Sequence, residues 1–134
     1  MIKRIIALGF CISVVTIYAQ QQQTSKQRGA ALYKKYCLSC HQADGSGVPR
    51  MNPPLTQTSY VTGDKDKLIK WVLQGSVGQH VDVDGESYSN NMPAQNYLSD
   101  QQIADVLTYV RGSFGNKSSA ILPADVKTVR ASLK

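Results

Sequence analysis

The stretch Cys37-Leu38-Ser39-Cys40-His41 combines residue types and a spacing that could do chemistry. Two thiols lie three positions apart, within one helical turn, and an imidazole follows the second thiol at once. In haem c attachment each thiol sulfur adds across one vinyl group of the porphyrin, and the adjacent histidine binds the iron as proximal ligand. The spacing therefore predicts one covalently attached haem c, with Cys37 and Cys40 as attachment sites and His41 as an iron ligand.

Three other interpretations of this motif are open. A redox-active dithiol usually occurs in a strand, loop and helix context, which the surrounding sequence does not predict. A zinc site would need a second Cys or His pair to complete four ligands, and the chain has none. An ordinary disulfide would leave His41 without a role. Haem attachment is the interpretation that uses all three side chains.

Residues 1–19 have the pattern of a secretory signal peptide. Lys3 and Arg4 form the charged start, residues 5–18 form an apolar run, and Ala19 is a small residue at the expected cleavage point. The apolar run is short for a membrane span, and an uncleaved anchor is the alternative. We expect cleavage after Ala19 and a periplasmic or otherwise exported product with no stable membrane insertion.

The charge of the expected mature chain is modest. Without Lys3 and Arg4, 13 of the 15 basic residues remain against nine acidic ones, a formal charge of +4. Two haem propionates would lower it to about +2. A nucleic-acid-binding domain carries a larger basic excess, so we expect no nucleic-acid partner. Of the three cysteines, Cys11 lies in the predicted signal, which leaves no pair for a structural disulfide.

The rest of the chain divides into three parts. We expect a flexible leader over residues 20–25, one domain over residues 26–115, and a C-terminal tail with a short helix over residues 116–134. A domain of this size is small for a self-sufficient apolar core, and a buried porphyrin would supply part of the missing surface.

Helix signals surround the motif on both sides. Capping boxes at residues 24–27 and 99–102 predict the starts of two helices, the first of which continues to the haem motif. Residues 64–74 have a broad apolar face that ends at a glycine, and Pro123 suits the first turn of a short last helix. On the first helix, the missing side chain of Gly29 would let another helix cross closely.

Two irregular segments complete the pattern. Residues 43–55 are rich in glycine and proline and predict a loop. An axial histidine normally donates its free ring N–H to a backbone carbonyl, and Pro53 and Pro54 are the candidates for that carbonyl. Residues 81–88 alternate in polarity around Asp84-Gly85, which predicts a small β-hairpin flap.

The sixth iron ligand has three candidates. Met51 lies only ten residues after His41, in the loop that must pass the proximal side, so it is badly placed to reach round the ring. His80 beside the hairpin would give bis-histidine ligation, or it is a surface histidine. Met92 follows an irregular loop, and Pro93 stiffens the backbone directly after the thioether. Met92 is the favoured ligand, with a buried core methionine as its alternative role.

Several motifs occur together over residues 26–115, and in combination they resemble class I cytochrome c. They are Gly29 and Tyr33 before the Cys-x-x-Cys-His motif, the Gly45-Ser46-Gly47 turn, Pro53-Pro54-Leu55, Met92-Pro93-Ala94, and Val106-Leu107-Thr108-Tyr109-Val110. The resemblance implies an all-α class I cytochrome c fold around one covalently attached haem c, with the small β-hairpin flap before the distal Met. It implies that the first and last helices of the domain cross near Gly29, Tyr33 and Tyr109.

The resemblance also implies the roles of the site residues. Cys37 and Cys40 would be the covalent sites, His41 and Met92 the axial iron ligands, and Pro53 the residue whose carbonyl lies behind His41. More narrowly, the hairpin before Met92, the residues after it and the tail are similar to small exported cytochromes associated with quinoprotein sugar, alcohol or sorbosone dehydrogenases.

Histidine and methionine together leave no open coordination position, so we expect an electron carrier and no enzymatic activity. As a monomer it would accept electrons from an exported dehydrogenase and pass them to a terminal oxidase of a respiratory chain. Two alternatives remain. One is a haem c subunit fixed in a larger dehydrogenase or oxidase complex, and the other is a peroxidase-like enzyme with a labile sixth ligand.

Overall fold

The computed structural model describes residues 23–133. This part of the chain is mostly helical and contains one two-stranded antiparallel sheet. The elements are α1 (Ser25–Tyr36), α2 (Leu38–His41), α3 (Ser59–Thr62), α4 (Lys65–Gln74), β1 (Val81–Val83), β2 (Glu86–Tyr88), α5 (Asp100–Arg111) and α6 (Pro123–Ser132). The predicted signal peptide over residues 1–19 lies outside the described residues. Within residues 23–133, no helix has the length and apolarity needed to span a membrane.

Helices α1 and α5 both begin at the capping boxes that the sequence predicts. Thr24 Oγ1 accepts a hydrogen bond from the Gln27 N–H at 3.3 Å, and Gln27 Oε1 accepts one from the Thr24 N–H at 2.8 Å. Ser99 and Gln102 repeat the arrangement at 3.2 and 2.9 Å. Each box satisfies two backbone N–H groups that a helix start otherwise leaves without partners.

The crossing of α1 and α5 is close because Gly29 has no side chain. A Cβ at Gly29 would overlap the backbone carbonyl of Asp105 and lie 2.7 Å from Tyr109 Cβ. Tyr33, one turn further along α1, packs against Tyr109 with 5.4 Å between ring centroids. The Arg28 guanidinium holds the buried Asp105 carboxylate through two hydrogen bonds of 2.6 and 2.8 Å. The prediction that Gly29 permits a close helix crossing is confirmed.

The hairpin forms where the sequence places it. Val81 pairs with Tyr88 and Val83 with Glu86. Asp84 has φ +52° and Gly85 φ +89°, so both turn residues adopt the left-handed conformation that a tight hairpin turn requires. The side chains of β1 alternate between buried and exposed, and the buried ones pack into the domain.

Helix α3 is absent from the sequence prediction. Its four residues follow Thr58, whose Oγ1 accepts a hydrogen bond from the Val61 N–H at 3.3 Å. Arg111, at the end of α5, fixes α3 from the other side, donating to the carbonyls of Val61 at 2.7 Å and Gly63 at 3.1 Å. Burial lowers the pKa of Arg111. A single helical turn is too short to show apolar periodicity in the sequence. The contacts of Arg111 that fix α3 come from far along the chain, so no local pattern predicts this helix.

Within residues 23–133, most of the buried apolar side chains form one cluster, to which α1, α3, α4, α5 and α6 all contribute. Its members are Tyr33, Val61, Leu68, Ile69, Val72, Leu73, Leu98, Ile103, Ala104, Val106, Leu107, Val110, Ile121, Val126 and Val129. Val126 and Val129 share one side of α6, as its sequence predicts, and Leu133 packs partly buried beside them. Some members of this cluster also line a cavity.

Candidate cofactor site

A large apolar cavity lies between α2, the loop after it, α4, β1, residues 90–93 and α5. Its volume is about 210 Å³, whereas a single buried water needs only roughly 10–15 Å³. Much of its wall is aliphatic, with contributions from Leu68, Val72, Val81, Val83, Leu98, Val106, Leu107 and Val110. Apolar side chains on the wall of a cavity are stabilised by contact with an apolar occupant. The size and lining therefore indicate a large, mostly apolar occupant.

Both thiols of the motif lie on the wall of this cavity. Cys37 ends α1 and begins α2, and its carbonyl accepts hydrogen bonds from the N–H groups of Cys40 at 3.2 Å and His41 at 2.9 Å. This turn keeps the two sulfurs on the same side of the chain. Burial, with a smaller contribution from Cys40, raises the pKa of Cys37 to about 11. A redox-active dithiol needs a lowered thiol pKa, so the structure disfavours that interpretation.

His41 is buried, and its ring has a fixed orientation. Its Nδ1 lies 2.9 Å from the carbonyl oxygen of Pro53. A carbonyl can only accept, so Nδ1 carries the proton and Nε2 keeps a lone pair. Burial lowers the pKa of His41, and the hydrogen bond to Pro53 offsets this only in part. The side chain is therefore neutral at pH 7, which is the form that binds a metal ion.

A glycine in the proximal loop sets the approach of Pro53 to His41. Gly47 has φ +66°, and its N–H donates to the His41 carbonyl at 3.1 Å. A Cβ at this position would overlap the carbonyl of Asn52 and lie 2.6 Å from that of Pro53. The sequence marks Gly47 only as part of a turn, and the close backbone approach that requires it is visible only in the structure.

Met92 also lies on the cavity wall, half-buried. Its backbone is held at both polar atoms by Ser76, which is 0% exposed. The Met92 N–H donates to Ser76 Oγ at 2.7 Å, and the Met92 carbonyl accepts from the Ser76 N–H at 2.9 Å. Gly75 has φ +69°, and a Cβ there would overlap the Met92 carbonyl. The sequence predicts Gly75 as a helix end but gives no signal for its contact with Met92.

We call residues 92–98 the methionine loop. Besides the hydrogen bonds between Met92 and Ser76, a second contact holds this loop, and it is made with α4. The Gln95 N–H donates to the Val72 carbonyl at 2.9 Å. The Gln95 side chain is buried and donates to the Pro93 carbonyl at 3.0 Å, while its Oε1 accepts from the Tyr97 hydroxyl at 2.6 Å. Sequence reasoning did not single out Gln95 or Tyr97, because neither lies in a recognisable motif.

Of the three candidates for a sixth ligand, Met92 lines the cavity, whereas Met51 and His80 do not. Met51 is 47% exposed. His80 is exposed, and its Nε2 lies 3.3 Å from Asp82 Oδ2 and 3.3 Å from Ser87 Oγ, on the outer face of the hairpin. Among residues 23–133, no three His, Cys, Asp or Glu side chains form a group that could hold a metal ion. The zinc interpretation therefore has no ligand set in the described chain.

Two aromatic side chains complete the wall. Tyr60 on α3 and Trp71 on α4 are both half-buried and line the cavity. Their ring centroids lie 5.4 Å apart, with the planes at 70°. This edge-to-face arrangement is a favourable aromatic contact. It ties the one-turn helix α3 to α4 at the cavity.

The residues present fit a haem c. The cavity offers apolar contacts to a porphyrin, and Cys37 and Cys40 on one helical turn match two vinyl groups. His41 offers an oriented lone pair, and Met92 offers a thioether, a ligand type that haem iron accepts. Each of these groups lies on the wall of the same cavity.

Comparison with known proteins gives one family and several relatives. Residues 26–113 match the model of the family described as Cytochrome c. The chain is 35% identical over 136 residues to the "Gluconate 2-dehydrogenase cytochrome c subunit" of Pantoea cypripedii, an alignment that covers 92% of this chain and 30% of that protein. It is 37% identical over 116 residues to the "Alcohol dehydrogenase (quinone), cytochrome c subunit" of Gluconacetobacter polyoxogenes, covering 80% of this chain and 23% of that subunit.

A smaller relative is covered over most of its length. The chain is 34% identical over 92 residues to the "Cytochrome c-552" of Thermus thermophilus, an alignment that covers 66% of this chain and 69% of that protein. The chain therefore spans less than a third of the two dehydrogenase subunits and about two thirds of this relative.

Proposed function

We propose that this chain, which belongs to the cytochrome c family and carries haem c with its iron, is an exported one-electron carrier with His41 and Met92 as axial ligands. One observation carries the proposal: a single apolar cavity has both thiols, the imidazole and the thioether on its wall. Bound haem c supplies an iron that takes up and releases one electron. The protein supplies the environment that keeps this exchange fast and directs it.

Cys37 and Cys40 would hold the porphyrin through thioether bonds at the rim of the cavity, where Cys40 is exposed. His41 would bind iron through Nε2. Its Nδ1–H donates to the Pro53 carbonyl, a contact that fixes the ring plane and makes the free nitrogen more electron-rich. Gly47 has no side chain and so leaves room for that carbonyl. The proximal side thus needs no rearrangement when the iron changes oxidation state.

Met92 would bind the iron from the distal side. A thioether ligand favours the reduced iron and raises the reduction potential. The two hydrogen bonds with Ser76 restrain the Met92 backbone, so the sulfur stays in place in both oxidation states. A sixth position that Met92 fills would leave no vacant site for oxygen or peroxide, and we therefore propose a carrier and not an enzyme.

The proposed partners and compartment follow from the chemistry and from the relatives. The signal pattern over residues 1–19 supports export to the periplasm. Two of the relatives are cytochrome c subunits of dehydrogenases, which supports an exported dehydrogenase as electron donor. We propose a terminal oxidase of a respiratory chain as acceptor and a monomeric carrier between the two.

Reactivity of the purified protein tests carrier against enzyme. The ferric protein should be reduced by a quinoprotein dehydrogenase acting on its own substrate. The ferrous protein should be oxidised slowly by air, and the ferric protein should not turn over peroxide with a dye as reductant. Rapid peroxide turnover by the wild-type protein would contradict the proposal and favour the peroxidase-like alternative.

A second candidate function is a haem subunit fixed in a larger complex, which the names of the dehydrogenase relatives favour. Affinity purification from the native host at low and high salt separates the two. A carrier should elute alone at physiological salt, because redox partners bind weakly through small interfaces. Recovery with a dehydrogenase in fixed stoichiometry at high salt would assign the chain to the complex.

A further inference from the structure

Helix α6 lies outside residues 26–113, the part that matches the family model, yet it is built firmly into the domain. It packs on α4 and α5, with Val126 at 0% and Val129 at 6% exposure. Just before it, Thr108 Oγ1 on α5 exchanges hydrogen bonds with the Ile121 N–H at 3.0 Å and the Ile121 carbonyl at 3.1 Å. The helix does not line the cavity, so any effect on the site must pass through a neighbour.

That neighbour is the methionine loop, which the Arg130 side chain of α6 contacts at its end. Arg130 Nη1 donates to the Asn96 carbonyl at 2.8 Å, and Nη2 donates to the Leu98 carbonyl at 2.7 Å. Nε donates to Asp100 Oδ1, in the first turn of α5, at 2.8 Å. Because a guanidinium is planar and rigid, these three bonds fix three acceptors relative to one another at once.

Side-chain packing also supports the end of the loop, because Leu98 belongs to the buried core cluster and the Tyr97 ring centroid lies 6.0 Å from that of Tyr36. Asn96 and Tyr97 are exposed, and Leu98 is the next buried side chain. From Tyr97 the restraint continues back along the loop, since its hydroxyl bonds the Gln95 side chain, which bonds the Pro93 carbonyl. Hydrogen bonds from outside the loop reach its backbone at three places: Ser76 at its start, the Val72 carbonyl in its middle and Arg130 at its end.

We propose that Arg130 is a positioning residue for Met92, holding the far end of the methionine loop so that the thioether stays at the iron. This inference rests on the proposed function, in which Met92 is the sixth ligand. It gives the C-terminal helix a role in the redox site that it does not touch. Loss of Arg130 removes the anchor at the end of the loop and leaves its backbone held from outside only by Ser76 and the Val72 carbonyl. Met92 then leaves the iron more often, and the iron opens to other ligands.

Cyanide binding to the ferric holoprotein tests the proposal, because cyanide can bind only after Met92 has left. Arg130→Met keeps the apolar stem and removes the donors. We expect cyanide to bind at least about fivefold faster than to wild type, since charge-assisted hydrogen bonds are lost from the loop. In a pH titration, the absorption that sulfur-iron charge transfer gives near the red end should also disappear at a lower pH in Arg130→Met than in wild type. Arg130→Lys, with a charge but no planar donor set, should give an intermediate rate.

Arg28→Met is the matched control. It removes another Arg-Asp pair, at the α1 and α5 crossing, and leaves the buried Asp105 without its cation. This lowers overall stability without touching the methionine loop, so cyanide should bind at the wild-type rate. A wild-type rate in Arg130→Met, or an equal acceleration in both variants, would overturn the proposal. If wild type itself lacks the sulfur-iron absorption, the proposed ligand is wrong and the inference falls with it, an outcome that the wild-type spectrum alone identifies.

Discussion

Replacing Gly29 with alanine tests the helix crossing beside the cavity, because two physical effects predict opposite signs. At an open helical position, alanine stabilises a helix by about 1 kcal/mol relative to glycine. At Gly29, however, the new Cβ would lie 2.7 Å from Tyr109 Cβ and 2.7 Å from the carbonyl carbon of Asp105. Ordinary carbon contacts are about 3.5–4.0 Å. Helices α1 and α5 must therefore separate by about 1 Å.

The cost of that separation exceeds the gain in propensity. Both obstructing atoms belong to the backbone or the Cβ of α5, so no side-chain rotation relieves the clash. Overpacking of this kind costs about 1–3 kcal/mol, and occasionally more. Taking the upper end and subtracting about 1 kcal/mol for propensity, we expect Gly29→Ala to lower the free energy of unfolding by about 2 kcal/mol.

Guanidinium chloride unfolding of the holoprotein measures this loss. Ala31→Gly is the control, because Ala31 is exposed on the same helix. It should cost about 1 kcal/mol and so calibrate the propensity effect in this protein. If Gly29→Ala is as stable as wild type while Ala31→Gly shows the expected loss, the close crossing is wrong.

Three further predictions concern the site and its supports. Ser76→Ala leaves the Met92 N–H without its acceptor in a buried position, and chemical unfolding should show a loss of about 1–3 kcal/mol. Cys37→Ala and Cys40→Ala should each sharply reduce the holoprotein recovered after export; mass spectrometry showing normal yields would contradict the attachment sites. Burial raises the pKa of Asp105, but hydrogen bonds, the strongest from Arg28, outweigh burial and hold that pKa below its ordinary value of 3.8. The stabilisation is therefore present above about pH 4 and is lost as pH falls through the folded pKa. Asp105→Asn should flatten this part of the acid dependence of the unfolding midpoint, and an unchanged profile would contradict the assignment.

The features that the sequence predicts correctly are those whose physical cause is local. A capping box needs residues only three positions apart, and Asp84-Gly85 determines its own turn. Gly75 ends α4 as expected, and Pro123 begins α6. The combination of motifs also predicted the cytochrome c family, which the family match confirms.

The features that the sequence does not predict depend on distant partners. Ser76 meets Met92 across 16 positions, and Arg130 meets Asn96 across 34. Asp105 is buried where α5 crosses α1, and Arg28 satisfies its carboxylate from 77 positions away. The two members of each pair lie too far apart in the sequence for a local pattern to include both. The fold places them together, and they determine how firmly the proposed ligand is held.

The ferric absorption spectrum of the exported protein, compared between wild type, Met51→Ala and Met92→Ala, tests the central claim most directly. We predict a weak absorption near the red end from sulfur-iron charge transfer in wild type and in Met51→Ala, and its loss in Met92→Ala together with a lower reduction potential. Retention of this absorption in Met92→Ala, or its loss in Met51→Ala, would contradict the account.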